Sequence, residues 1–360
     1  MRFLVLLVAI VLQCGVFGQQ TTLSADAVEA VVTTELGEFR FEFAPDKAPE
    51  HVQQFIKRAT EGYYDGSAFF RMVVNGIIQG GDPLLKDPQT PRNQWGTGGL
   101  KLLKGELSDL KHERGTVSTV RIPDQSDSDG AQFFVCVHPQ PALDRQYSAF
   151  GRVTEGIEVV ERISHTPIGE DGNALTPVRI ERIRIEKRKV APFADATETA
   201  LRRRVVMETT LGTLRIATRP EWAPEHVRQF LNLVAEGWYD GVGFHRIVPD
   251  FVVQGGMGYY RQPSQTHRAD RWVKTLKAEF RSDVQHVRGT VSMAHGDDPD
   301  SATTSFFLVL GAATHLDGNY SAFGEVVEGI EVLDAFEQEP VDDETPRRRL
   351  EIVRAWLEPE

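Results

Sequence analysis

The chain has 360 residues, 41% hydrophobic and 26% charged, with a formal charge of −12 and a pI near 5.4. That is ordinary globular composition at a length that suits about two domains. An acidic balance, with no Lys/Arg block interleaved with aromatics, argues against nucleic-acid binding.

The chain starts with Met1-Arg2, and Phe3 to Leu12 is an apolar run of ten residues. Val16-Phe17-Gly18 then places small residues at the −3 and −1 positions of a cleavage point. This pattern predicts a secretory signal peptide over 1–18, too short to span a membrane, with the mature chain starting near Gln19. Lipidation of Cys14 is disfavoured, because Gln13 stands where a small residue is expected. Removal of the signal leaves one thiol, Cys136, so no internal disulfide is possible. Within FFVCV that thiol reads as a small buried hydrophobe. The expected compartment is the periplasm, or the exterior, with no stable membrane insertion of the mature chain.

VVTTELGEFRFEF (31–43) is two β-rich runs around Leu36-Gly37, a hairpin signal. Val52, Phe55, Ile56 and Ala59 fall at i, i+3, i+4 and i+7, which predicts a helix with Pro49 in its first turn and Gly62 as its stop. AFFRMVVNGIIQGG (68–81) is apolar apart from Arg71 near its start and Gln79 near its end. Burying a guanidinium without a partner is costly, so Arg71 needs a reason to sit there. His112, just before an Arg-Gly turn, reads as a structural hydrogen-bonder. The acidic loop PDQSDSDG (123–130) lacks calcium-loop spacing and reads as solvated. In Phe133-Phe134, strand alternation sends one ring inward and the other outward.

All of this is written twice. APEHV at 48–52 returns at 223–227, RGTVS at 114–118 returns at 288–292, and YSAFG at 147–151 returns at 320–324. The offsets are 175, 174 and 173 residues, which means tandem domains and not a short-period solenoid. The boundaries read as 28–188 and 204–358, joined by an Ala/Thr-rich linker over 189–203. In the second copy GFHRIVPDFVVQGG (243–256) answers the arginine-to-glutamine run, GDDPDSAT (296–303) the acidic loop, and His286 answers His112. Many short strands with few helices suggest closed antiparallel barrels or sandwiches.

The order F-H-R-x-x-P-x-F-x-x-Q-G-G, R-G-x-x-S-M-A, Q-F-F and L-D-x-x-Y/H-x-x-F-G resembles the cyclophilin-type peptidyl-prolyl isomerases, in both copies. The resemblance implies a mainly β chain of two eight-stranded antiparallel barrels, each closed by about two helices, with a peptide groove on the outside of the barrel. It also implies isomerisation of X-Pro bonds in proline-containing polypeptides, without metal or cofactor. In the second copy it makes Arg246 the catalytic arginine and Gln254 the residue that orients it or the substrate backbone. Phe251, Val252, Phe307 and Leu316 would line the proline pocket, with Tyr320 on a wall where many members have histidine. Ser305 stands in place of a second glutamine, and His295 in place of a peptide-binding asparagine.

The first copy keeps Arg71, Gln79, Gln132, Phe134, Leu143 and Tyr147. It has Gly76 in place of the pocket phenylalanine, with Ile77 beside it as a partial substitute, and Arg121 in place of the asparagine. The second domain is therefore expected to be the stronger. The chemistry fits the residues: an X-Pro bond crosses a barrier of about 18–20 kcal/mol because amide resonance keeps it planar. Twisting localises the nitrogen lone pair, and a fixed guanidinium donor favours that twisted state. The alternative is a non-catalytic chaperone or scaffold that uses the same groove to hold proline peptides. The oligomeric state is not written in the sequence.

Overall fold

A computed structural model of the chain describes residues 24–359, apart from Val74, Pro123, Ser126, Ser128, Ser264 and Gln265. The expected signal peptide and Cys14 lie outside the described residues.

The first unit opens with a hairpin of β1 (Val28–Thr34) and β2 (Gly37–Phe43), followed by α1 (Pro49–Thr60). Then come β3 (Ala68–Met72), β4 (Ile77–Gly80), β5 (Thr116–Thr119), β6 (Phe133–Cys136), β7 (Ala149–Glu155), α2 (Ile157–Ser164) and β8 (Asn173–Lys187). The strands close a barrel in the order β1-β2-β7-β5-β6-β4-β3-β8, every pair antiparallel. After a one-turn helix α3 (Glu198–Leu201), the second unit repeats the plan. Its elements are β9 (Arg204–Thr209), β10 (Gly212–Thr218), α4 (Pro224–Ala235), β11 (Val242–Val248), β12 (Val252–Gly255), β13 (Thr290–Met293), β14 (Phe306–Val309), β15 (Ser321–Glu328) and α5 (Glu331–Glu337). A small hairpin of β16 (Val341–Asp342) and β17 (Thr345–Pro346) precedes the closing strand β18 (Leu350–Leu357). The barrel order β10-β15-β13-β14-β12-β11-β18-β9 is the same circuit as in the first unit.

Strand alternation fills each barrel. Ile78, Phe133 and Val135 join the first core, and Val253, Phe306 and Leu308 the second. The predicted helices form where the periodicity places them. Phe55 of α1 reaches Tyr64, Phe133 and Phe150, with ring centroids 4.9, 5.5 and 5.3 Å away. The N-terminus of α1 has no side-chain cap of its own. Glu106 supplies it, accepting from the N–H groups of Glu50 and His51 at 3.1 and 3.0 Å. Glu279 does the same for Glu225 and His226 in α4, at 3.1 Å each. A carboxylate suits the positive end of a helix.

The stretch that reads as a linker over 189–203 is in part built into the second unit. Phe193 and Leu201 are buried in its core. Phe193 N–H donates to Asn232 Oδ1 at 2.7 Å, and Arg228 on α4 gathers the carbonyls of Phe193 and Ala196. Two apolar residues eight apart carry no periodic signal, so composition hides this role. Among the described residues no helix is long and apolar enough to cross a membrane.

Candidate active site

The sheet register lines up the key residues. Arg246 on β11 is the Cα partner of Gln254 on β12, Gln254 of Phe307 on β14, and Phe307 of Ser292 on β13. In an antiparallel sheet such partners point to the same face. The first unit repeats the row as Arg71, Gln79, Phe134 and Ser118. The flanking residues Phe133 and Phe306 belong to the cores, so both rows face out of the barrels. One ring of each Phe-Phe pair points inward and the other outward, as alternation requires.

Beside the second row lies a separate apolar cluster of Val252, Phe307, Val309, Ala313 and Leu316, with Phe251, Ala294 and Tyr320 packed against it. All five expected pocket residues, Phe251, Val252, Phe307, Leu316 and Tyr320, meet there. Tyr320 stands edge-on to Phe307, with centroids 5.5 Å apart. His295 stacks on Tyr320 at 4.4 Å, and its ring nitrogens face the carbonyls of Gly296 and Asn319. His315 stacks on Phe251 at 5.1 Å. His286 accounts for the inner end of the row. It meets Asp317 at 2.9 Å and Ser292 at 3.1 Å, and burial holds its pKa below the ordinary 6.5. His112 does the same with Asp144 and Ser118. Both are structural hydrogen-bonders, as expected from sequence.

The glutamines hydrogen-bond elsewhere than to their neighbouring arginines. Gln254 donates to Ser305 Oγ at 3.2 Å, and Ser305 in turn donates to the Gly255 carbonyl. Gln79 donates to Gln132 Oε1 at 3.0 Å, and Gln132 is held by the carbonyls of Gly96 and Gly98. Arg246 is gripped instead by Glu344, with Nε to Oε2 at 2.5 Å and Nη2 to Oε1 at 3.2 Å. Sequence reasoning missed Glu344, which lies 98 residues further along, between two short strands with no pattern of their own. His245, next to the arginine, stacks on Tyr260 at 4.8 Å. Burial, and then the Arg246 charge, hold its pKa below the ordinary 6.5.

The first row is less complete. Arg71 is exposed and has no side-chain partner among the described residues. Phe134 stacks on His112 and meets Tyr147 edge-on at 5.5 Å, but Leu143, Ile77 and Tyr147 are only half-buried. Gln140 takes the position of Ala313: the two N–H groups make the same bond, to His112 and His286 carbonyls. Arg121 lies over the Tyr147 ring at 5.2 Å. A Cβ at Gly76 would come within 2.8 Å of Val73 Cγ1, so the turn leaves no room for the missing phenylalanine unless Val73 moves.

In the acidic loop of the first copy, Asp129 departs from the solvated expectation. Asp129 is buried and receives Thr119 Oγ1 at 3.0 Å and Ser148 Oγ at 2.6 Å, with His51 Nε2 at 3.0 Å. The second loop is exposed over 296–300. Among the described residues no group of His, Cys, Asp and Glu is placed to hold a metal ion. Cys136 is fully buried, and burial pushes its thiol up to about 12, which makes it inert as a nucleophile.

A family profile described as "Cyclophilin type peptidyl-prolyl cis-trans isomerase/CLD" matches residues 30–185 and 204–356, which is most of the chain. The chain belongs to this family. Among cyclophilins it resembles "Peptidyl-prolyl cis-trans isomerase-like 3" of Mus musculus, with 36% identity over 146 residues, 40% of this chain and 87% of that one. A "Probable peptidyl-prolyl cis-trans isomerase" of Brucella abortus is 35% identical over 169 residues, 45% of this chain and 83% of the relative. "Peptidyl-prolyl cis-trans isomerase-like 2" of Gibberella zeae is 40% identical over 139 residues, which is 38% of this chain but 23% of that longer protein. A solved cyclophilin-type isomerase of Cryptosporidium parvum, in the presence of the dipeptide Ala-Pro, aligns with 44% of this chain and 99% of its own at 25% identity and a TM-score of 0.40.

Proposed function

We propose that this cyclophilin isomerises X-Pro bonds in exported proteins, and that its second groove does most of the work. The observation that carries this is the outward row of Arg246, Gln254 and Phe307 beside the apolar cluster of Phe251, Val252, Leu316 and Tyr320. The cluster takes the proline ring, and Arg246 donates to the proline nitrogen as its lone pair localises. That donor bond exists only in the twisted state, so it lowers the barrier and not the ground state. Gln254, held by Ser305, offers its remaining amide hydrogen and its amide oxygen to the peptide backbone, and His295 flanks the groove on the Tyr320 ring. In the first groove Arg71 and Gln79 serve the same roles, with Ile77, Gln132, Phe134, Leu143 and Tyr147 around them, but Gly76 leaves the pocket open. The apolar N-terminal stretch supports export, which makes the clients proteins that fold outside the cytoplasm.

The test is the isomerisation rate of a short Ala-Pro peptide. Arg246→Ala in the full chain is expected to lower kcat/KM about 10²–10³-fold, as for loss of one preorganised donor. Arg246→Lys recovers little, because an ammonium lacks the planar fork. Arg71→Ala has the smaller effect. Circular dichroism checks that each variant folds. If the wild type binds proline peptides without accelerating them, the groove is a scaffold and this reading is wrong.

A further inference from the structure

The geometry points to Glu344 as the positioning residue of Arg246, in the place that the sequence pattern gives to Gln254. This rests on the reading of Arg246 as the donor to the proline nitrogen. A long arginine side chain on an open sheet face samples many rotamers, and a donor to a transition state must be fixed before the reaction. Gln254 is next to Arg246 in register, yet its side-chain N–H donates to Ser305 and not towards the guanidinium. The two oxygens of Glu344 instead take Nε and Nη2, in the bidentate geometry that fixes a guanidinium plane as well as its place. That contact uses one edge of the fork. Nη1 and the second hydrogen of Nη2 remain for substrate.

The carboxylate is itself held. Glu344 follows Asp343, whose φ of 56° makes the tight turn between β16 and β17. The Glu344 carbonyl accepts from Ile247 N–H at 2.7 Å, which ties the hairpin to the strand that bears Arg246. Arg347 bonds Asp342 at 2.8 Å on the other side of the turn. Among the described residues the first unit shows no such device. There the corresponding loop uses Asp171 to hold Arg92, and Arg71 is left exposed. The difference between the two grooves is therefore an anchored arginine as well as a fuller pocket.

The experiment uses the full chain carrying Arg71→Ala, which silences the first groove, and reads kcat and KM on an Ala-Pro peptide. Glu344→Ala is expected to lower kcat by up to about 10²-fold, the scale of a misplaced catalytic group, with KM nearly unchanged. Glu344→Gln keeps one acceptor oxygen on the guanidinium and recovers part of the loss. In an Arg246→Ala background, Glu344→Ala has no further effect, because residues that act through one another are not additive. The Arg246 Nε–H signal in NMR, sharp in the parent, is expected to broaden or vanish in Glu344→Ala. An equal loss in both backgrounds means that Glu344 only supports the fold, and overturns the inference. A rise in kcat shows a competitor for the arginine, and overturns it too. If Arg246→Ala leaves the rate untouched, the reading of Arg246 fails, and this inference falls with it.

Discussion

One residue sets the two proposed proline pockets apart. Phe251 packs against the cluster of Val252, Phe307 and Leu316, and Gly76 holds its place in the first copy. Both follow a left-handed residue, Asp250 at φ 59° and Asn75 at φ 52°, so the turn is the same and only the wall differs. Removing an aromatic wall costs about 1–3 kcal/mol of apolar contact. Phe251→Gly is therefore expected to raise KM for an Ala-Pro peptide about tenfold or more, with kcat less affected because Arg246 stays in place. Steady-state kinetics on the full chain decide this, and an unchanged KM would mean that Phe251 does not meet the proline. The wall and the arginine were legible in the sequence because both lie in one ordered motif. Glu344 was not, since only the barrel topology brings a residue 98 positions away onto the guanidinium.

The elements were legible where periodicity or turn chemistry writes them: the hairpins of β1–β2 and β9–β10, and helices α1 and α4. Their supports were not. His51 on α1 lies between Glu106 at 2.5 Å and Asp129 at 3.0 Å, in loops that carry no pattern. Its counterpart His226 has Glu279, but Ala302 occupies the bridge position of Asp129, and His226 Nε2 is buried without a partner. Burial disfavours the charged His51 ring, but the two carboxylates outweigh it and hold its pKa above the ordinary 6.5. The folded state therefore binds this proton more tightly than the unfolded chain. That stabilisation is complete below 6.5 and is lost as pH rises through the raised value. Glu106 and Asp129 are held below 4.5 and 3.8, against their burial, so their share is present above those values and lost in acid. The first barrel is expected to be most stable between these limits. Asp129→Asn should flatten the alkaline fall in its unfolding midpoint. A fall of unchanged slope would assign it to another group.

At the scale of the whole molecule a buried cation of the second unit docks on the first barrel. Arg271 lies on a short turn of the second unit, anchored where Asp270 accepts from Trp238 Nε1 at 2.6 Å. Its side chain is 1% exposed and bonds Glu29 at 2.5 Å, Glu42 at 2.6 Å and Glu155 at 2.9 Å, all on the wall of the first barrel. Glu29 is fully buried, and Arg40 shares it from the other side at 3.1 Å. A cleft of about 880 Å³ runs beside this contact, lined by Arg114, Arg152, Glu158 and Arg268, among others. Such a cluster holds orientation more than it adds stability, because desolvation offsets much of the attraction. Losing one member is different, since it leaves carboxylates facing each other in a dry site. Breaking a buried pair costs about 3–5 kcal/mol, and Arg40 keeps the loss at Glu29 towards the lower end. Arg271→Ala is therefore expected to let the barrels move apart, read as a larger radius of gyration in small-angle scattering and as separate unfolding transitions. Salt at about 1 M, where the screening length is about 3 Å, should not mimic the substitution, because buried pairs are screened much less than exposed ones. If salt alone separates the barrels, exposed pairs hold them together and Arg271 is incidental. If Arg271→Ala leaves the scattering unchanged, apolar contact or the connecting segment fixes their geometry.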